Sequence, residues 1–192
     1  MGTSERDFVE RLKAGDPSAY EELIENYADM VYRVTYRILQ DPQDAEDAMQ
    51  ETFLTVYRRI PTFRGDAKFS TWLYRIATNT ALDLIRTRQR KQGQDIVWDE
   101  SEEEGVPLPD EITPLPEELL LRQEVMELIE EGIAALSPKL RTAFVLYELE
   151  GLPMKEIASI LGISENATKV RVHRARAQLQ KFLAERLQEV AQ

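Results

Sequence analysis

The sequence predicts an all-α protein made of two small helical domains joined by an acidic flexible linker, and three observations carry that prediction. Apolar residues recur at helical spacing along nearly the whole chain, without sustained period-two alternation between hairpin turns. The pairs Asp16-Pro17 and Asp41-Pro42 each set a capping carboxylate before a proline at the first helical position, where its missing N–H costs nothing. Residues 93–116 hold acidic side chains, Pro107, Pro109, Pro114 and Pro116, with few apolar residues in any period, which reads as a linker. The expected division is a first domain over 1–92, the linker over 93–116 and a second domain over 117–192.

Taken in order, the helix after Asp16 carries Tyr20, Leu23, Ile24, Tyr27, Val31, Val34 and Ile38 on one stripe. The helix after Asp41 carries Ala45, Ala48, Met49, Thr52, Phe53 and Val56. A polar loop with Gly65 follows Ile60-Pro61, and a capped helix from about Ser70 carries Trp72, Leu73, Ile76, Ala77, Thr80, Ala81 and Leu84 before ending in a basic run. Beyond the linker, residues 119–136 form an amphipathic helix. Ser137-Pro138 starts another that runs to about Leu149, Gly151-Leu152-Pro153 turns the chain, and two short helices are expected to close the fold.

Composition narrows the function classes. The chain of 192 residues has 43% hydrophobic and 31% charged residues, the balance of a globular protein. Zero cysteines removes disulfides, thiolate zinc sites and cysteine nucleophiles together, and fits a reducing compartment. No apolar run approaches the roughly 20 residues that span a bilayer, so no membrane insertion and a cytoplasmic location are expected. The net charge of −11 argues at first against nucleic acid. Yet Asp95, Asp99, Glu100, Glu102, Glu103, Glu104, Asp110, Glu111, Glu117 and Glu118 lie together with no Lys or Arg among them. Setting those ten carboxylates aside leaves −1 for everything else, which permits basic faces elsewhere.

The C-terminal pattern is a helix-turn-helix. A short helix (Met154, Ile157, Ala158, Leu161) leads to a turn at Gly162-Ile163, where glycine supplies a left-handed backbone, and Ser164 caps a longer helix. At 100° per residue, Thr168, Val172, Ala175, Leu179 and Phe182 face inward. Asn166, Lys169, Val170, His173, Arg174 and Ala177 are expected to point outward, with Arg171 and Arg176 flanking them. A major groove admits one helix, long cations beside it reach phosphates, and shorter groups at its centre touch base edges. Such cations can also simply solvate a terminal helix. His173 has no Cys, second His or paired acid nearby, so it reads as a surface residue rather than a metal ligand.

The stretch Glu150-Gly151-Leu152-Pro153-Met154-Lys155-Glu156-Ile157-Ala158-Ser159-Ile160-Leu161-Gly162-Ile163, followed by Val172-His173-Arg174-Ala175-Arg176-Ala177-Gln178-Leu179, resembles region 4 of sigma factors. The resemblance implies that Lys169, Val170, His173 and Arg174 face a −35 promoter element, with Arg171 and Arg176 on phosphates. The chain departs from the family in having Asn166-Ala167-Thr168 where a Gly-Thr-Val-type run is usual, and Val170 where a small polar residue is common.

Upstream, Asp44-Ala45-Glu46-Asp47-Ala48-Met49-Gln50-Glu51-Thr52-Phe53, then Phe63-Arg64-Gly65-Asp66, then Phe69-Ser70-Thr71-Trp72-Leu73-Tyr74-Arg75-Ile76-Ala77-Thr78-Asn79-Thr80, is similar to region 2 of the extracytoplasmic-function sigma factors. Spacing puts Asp44, Asp47 and Glu51 on adjacent turns as an acidic face, an arrangement that is often merely solvated. The resemblance implies that Asp44, Asp47, Gln50 and Glu51 bind the RNA polymerase core, whose clamp and flap regions receive such factors. It also implies that Phe63, Arg64, Lys68, Ser70, Trp72, Arg75, Asn79 and Arg86 meet the −10 element during melting. An amide such as Asn79 offers both donor and acceptor to a flipped base, and cations hold the single strand. At helical spacing, Trp72 and Tyr74 are more often core than stacking platforms.

The resemblance makes the chain a promoter-specific transcription initiation factor, for a stress or envelope response, with core polymerase and promoter DNA as partners. An anti-sigma factor is a further candidate partner, because the family is commonly silenced by one. The linker reads either as an entropic tether or as a segment threading the polymerase interior. No cofactor is expected, and no catalytic residue: the sequence holds no glycine-rich phosphate loop, metal cluster or nucleophile beside a base. The rival reading is a self-sufficient helix-turn-helix regulator that dimerises on a palindromic operator. The constellation between Asp44 and Thr80 is what a sensor or dimerisation domain has no reason to contain.

Overall fold

A computed structural model describes residues 3–93 and 123–190. The linker over 93–116 and the start of the helix expected from 119 lie, apart from Gly93, outside the described residues. The described chain is helical, with no strand among the described residues, and divides into two compact units, Met1–Ile96 and Val97–Gln192. The first unit contains α1 (Thr3–Lys13), α2 (Pro17–Leu39), α3 (Pro42–Arg59), a 3₁₀ turn (Ile60–Thr62) and α4 (Phe69–Lys91).

The two Asp-Pro starts fold as the sequence predicts. Asp16 and Asp41 sit in extended conformation as N-caps, their side chains accepting the N–H of Ser18 and of Asp44, each at 2.9 Å. α1 was not expected, although Phe8, Val9 and Leu12 already mark one face of it. It is held to α2 by Arg11, whose guanidinium donates to Asp16, Ser18 and Glu22 at 3.0, 2.9 and 2.9 Å. The core gathers Leu12, Leu23, Val31, Val56, Ile60 and Leu73 around Phe69, which is fully buried. Phe8, Tyr27 and Phe63 meet the Phe69 ring edge-on at 5.5, 5.5 and 6.0 Å. Ile24, expected on the buried stripe of α2, is instead 52% exposed, because α2 turns its inward arc between α3 and α4.

The helix expected to start with a cap near Ser70 starts at Phe69 after Lys68, which makes no side-chain cap. The missing cap comes from α1: the Phe69 N–H donates to Glu5 Oε1 at 2.7 Å. This bond crosses 64 residues of sequence, beyond the reach of any local pattern.

The second unit contains α5 (Gln123–Ala135), α6 (Pro138–Phe144), a π turn (Val145–Leu149), α7 (Met154–Leu161) and α8 (Glu165–Val190). Its core packs Ile129, Ile133, Leu136, Leu140 and Phe144 against Ala175, Leu179 and Leu183 of α8. Gly132 permits this approach, since a Cβ there would stand 2.4 Å from Leu179 Cδ1. Arg141 closes α5 by donating to the carbonyls of Ile133 and Leu136 at 3.1 and 2.9 Å, and burial pushes its pKa below the usual guanidinium value. Among the described residues no helix is long and apolar enough to cross a membrane.

Candidate nucleic-acid interface

On α3 the structure separates residues that sequence spacing had grouped. Asp47, Gln50 and Glu51 are exposed, and Glu51 takes an ion pair from Arg58 at 3.1 Å. Asp44 is not on that face: it is only 5% exposed, and both its carboxylate oxygens are held by the Arg88 guanidinium near the end of α4. The physical reason lies in its register, because Asp44, Ala48 and Thr52 follow one i, i+4, i+8 row that α4 and α2 cover together. Asp44 is therefore an internal tie between α3 and α4, not part of an exposed acidic surface.

Two large apolar side chains on α3 stand outside the buried stripe and were passed over. Leu54 and Tyr57 are exposed, Tyr57 by 63%, with its ring 5.3 Å from Tyr20 of α2. Leu54 falls four residues after Gln50 and three after Glu51, so it shares their face. The signal was available: neither residue fits the helical row that builds the core.

Between α3 and α4 runs a groove of about 830 Å³. Asp47, Glu51 and Arg59 form its α3 wall, and Trp72, Arg75, Asn79 and Arg86 stand along α4. Asn79 is exposed, Arg75 and Arg86 are half-buried, and Arg86 pairs with Asp83 at 2.8 Å. Trp72 is half-buried, its ring 5.0 Å from Phe63 and 5.8 Å from Phe69. It belongs both to the core and to the groove wall. Phe63, expected to meet DNA, is a core residue only 6% exposed, enclosed by Phe69 and Trp72. The loop after it is open: Arg64 and Lys68 are exposed, Gly65 adopts φ 78°, and Ser70 is half-buried on the first turn of α4. Arg64 lines a second, smaller groove against α1 rather than the first.

In the second unit the helix-turn-helix forms as its punctuation predicts. Gly162 ends α7 at φ 70°, and Ser164 Oγ accepts the Ala167 N–H at 3.0 Å to start α8. Thr168, Val172, Ala175 and Leu179 are buried as expected. Lys169 is exposed, and His173 and Arg174 are half-buried on the outer side. Two expected outward or flanking positions are buried instead: Val170 is 2% exposed and Arg171 5%. α8 packs against α5, α6 and α7, and the tight turn at Gly162 keeps α7 on its first turns, so the buried arc there is wider than one stripe. Arg176 is held within the unit, ion-paired to Glu148 with its guanidinium 5.5 Å from the centre of the Tyr147 ring. The π turn places both partners.

The chain is similar to known proteins. The Sigma-70 region 2 family model matches residues 23–91, and the Sigma-70, region 4 model matches residues 126–179. The ECF RNA polymerase sigma factor SigW of Bacillus subtilis is 36% identical over 178 residues, covering 91% of this chain and 94% of that protein. The RNA polymerase sigma-H factor of Pseudomonas aeruginosa is 37% identical over 193 residues, covering 98% of this chain and all of that protein. Among solved structures, the sigma factor RpoE of Bartonella quintana, in complex with the anti-sigma factor NepR, superposes with a TM-score of 0.64. That match has 21% identity over 86% of this chain and 96% of that one, and shows the same all-α fold. Two region models in order and relatives matched over nearly their whole length place the chain in the sigma-70 family, as an extracytoplasmic-function sigma factor with regions 2 and 4.

Proposed function

We propose that this protein binds RNA polymerase core and directs it to promoters of a stress or envelope response regulon, acting in the cytoplasm as an initiation factor and not as an enzyme. The observation that carries the reading is the α3–α4 groove, where an exposed amide, Asn79, stands among Arg75, Arg86 and the half-buried Trp72, opposite Asp47 and Glu51. Unpaired DNA needs cations for its backbone, apolar surface for its bases and a donor–acceptor group to discriminate them, and this groove offers all three. Its acidic wall leaves an exposed helical face for a basic partner protein.

Residues 1–92 then carry core binding and −10 recognition, 93–116 form the connecting linker, and 117–192 carry −35 recognition. Asp47, Gln50 and Glu51, joined by Leu54, make the polymerase contact, with Asp44 positioning α4 behind them. Arg64, Lys68, Ser70, Trp72, Arg75, Asn79 and Arg86 serve the −10 element. Lys169, His173 and Arg174 serve the −35 element, with Arg176 braced at its edge. An anti-sigma factor is a further proposed partner, supported by the RpoE structure solved with one.

Run-off transcription from a promoter library with purified bacterial core polymerase, with and without the protein, tests this. A defined promoter set should fire only when the protein is added. Asn79→Ala should relax the −10 preference and Arg174→Ala the −35 preference. A protein that leaves core polymerase undirected and protects a palindromic site by itself would be a self-sufficient regulator, and the proposal would be wrong.

A further inference from the structure

We infer that Glu148 acts as an internal stand-in for a DNA phosphate: by holding Arg176 it keeps that cation off the duplex backbone, and so limits how strongly α8 grips DNA of any sequence. The inference rests on the −35 role proposed above for α8, and adds to it a residue outside that helix. Family resemblance implies that Arg176 meets phosphates, and the structure gives it a different partner.

The position of Arg176 makes this pairing consequential. Lys169, His173 and Arg176 follow one i, i+4, i+7 row along α8, so the guanidinium shares a side of the helix with two of the proposed −35 residues. An arginine there is long enough to reach a phosphate beside a groove that admits the helix. Yet its Nε and Nη2 both meet one carboxylate oxygen, Glu148 Oε1. The two side chains are 19% and 27% exposed, so the pair is partly shielded from water. A carboxylate offers a guanidinium the same kind of forked contact as a phosphate, and the donors that Glu148 occupies are those a phosphate would need.

The backbone is built to make this contact. In a regular α-helix consecutive side chains diverge by about 100°. Tyr147 and Glu148 are consecutive, but both meet the same guanidinium, which stands 5.5 Å from the centre of the Tyr147 ring. They lie in the π turn Val145–Leu149, whose widened ring is closed by the Glu150 N–H donating to the Val145 carbonyl at 3.0 Å. A cation 28 residues along the chain is thereby held on its edge and on its face. Each phosphate that a cation neutralises adds to binding without regard to sequence, so withholding Arg176 lowers affinity for promoter and non-promoter duplex alike.

The test uses holoenzyme assembled from the full chain and core polymerase. It is bound over a range of salt to a promoter duplex that it transcribes and to the same duplex with a scrambled −35 element. Glu148→Gln should raise affinity for both duplexes by a similar factor, about threefold or more near 0.1 M salt. The slope of log affinity against log salt should steepen by about 0.9, the value of one added phosphate contact. Arg176→Gln alone should leave the wild-type slope, and the two substitutions together should return to it. Should Arg176→Gln not fold, the slope of Glu148→Gln decides alone, because glutamine keeps an acceptor for the guanidinium.

If Arg176→Gln makes the wild-type slope shallower by about 0.9 while Glu148→Gln changes nothing, Arg176 already sits on a phosphate and the inference is overturned. If the two substitutions shift affinity by opposite amounts that simply add, Glu148 is only a distant charge, which overturns it as well. A gain confined to the intact −35 element would make Arg176 a reader of bases and refute the phosphate stand-in. In each of these cases the sigma reading stands as long as Arg174→Ala relaxes the −35 preference. A wild-type holoenzyme that binds both duplexes equally sinks the −35 reading and the inference together.

Discussion

Asp44→Asn is expected to lower stability and leave polymerase affinity unchanged, the reverse of Asp47→Ala or Glu51→Ala. The Asp44 side chain is 8% exposed and binds the Arg88 guanidinium through both oxygens, while Arg88 remains 50% exposed. A charge-assisted hydrogen bond contributes about 1.5–3 kcal/mol when both partners are buried. Arg88 recovers hydration when the carboxylate is lost, and asparagine keeps one acceptor, so the upper part of that range does not apply. Asp44 also lies in the first turn of α3, where a negative charge adds about 0.3–1 kcal/mol against the helix dipole. The net expectation is a loss of about 1–2 kcal/mol.

For a domain of this size that loss lowers the melting temperature by about 5–15 °C. Trp72 fluorescence in a Trp98→Phe background reads the first unit alone during urea unfolding, and core affinity is measured well below the transition. Asp47→Ala and Glu51→Ala, both on the exposed face, should shift stability by no more than about 0.5 kcal/mol. Each should weaken core binding by about tenfold, or roughly 1.4 kcal/mol. A double-mutant cycle of Asp44→Asn with Arg88→Gln should return a coupling of about 1 kcal/mol or more. If Asp44→Asn unfolds at the wild-type midpoint while core affinity falls tenfold, the carboxylate is a polymerase contact after all and the tie is unimportant.

Three further outcomes follow from the geometry. Gly132→Ala would ordinarily add about 1 kcal/mol of helix stability, but its methyl would stand 2.4 Å from the buried Leu179 side chain. Overpacking of about 1–3 kcal/mol should win, seen as faster amide exchange in α5 and α8; slower exchange would contradict it. Ser164→Ala removes the acceptor for the Ala167 N–H and should cost about 1 kcal/mol at the start of α8, with Ser164→Asp restoring it; amide exchange at Ala167 reads both. The Asp16 carboxyl is held below its ordinary value by the Ser18 hydroxyl first, then by the Arg11 guanidinium and the Ser18 N–H. Its folded pKa being depressed, its contribution is complete above the ordinary carboxylate range and is lost as pH falls through the folded value. Asp16→Asn should therefore shift the urea midpoint at pH 7 and shift it less below about pH 4; an equal shift at both would remove the charge from the explanation.

Much of this architecture was legible because helix ends are written locally. Asp16-Pro17, Asp41-Pro42, Gly162 and Ser164 each satisfy backbone groups within a few residues, and every one forms as its chemistry requires. What the sequence concealed depends on distant partners. The start of α4 looked as if it needed its own cap near Ser70, but Glu5 supplies one from the other end of the unit. α1 itself is only 11 residues long and marked by three apolar side chains, so its place in the core emerges only when Phe69 is there to receive Phe8.

The misplaced site residues that lie on helices share a cause that bears on function. A helical wheel with one inward stripe describes a helix covered on one side, whereas α3 is covered by α2 and α4, and α8 by α5, α6 and α7. Covering from several sides draws in residues that a single stripe would leave outside, and Asp44, Val170 and Arg171 are those residues. A helix embedded this firmly has its orientation fixed before it meets a partner. Arg176 contributes to that fixing by spending its charge on Glu148 and its plane on Tyr147. On the proposed function, fewer side chains of α8 are then left to face DNA than the count of cations suggests, but Lys169, His173 and Arg174 would meet it from a scaffold that does not have to be ordered on binding, so that less of the contact energy would be lost to ordering.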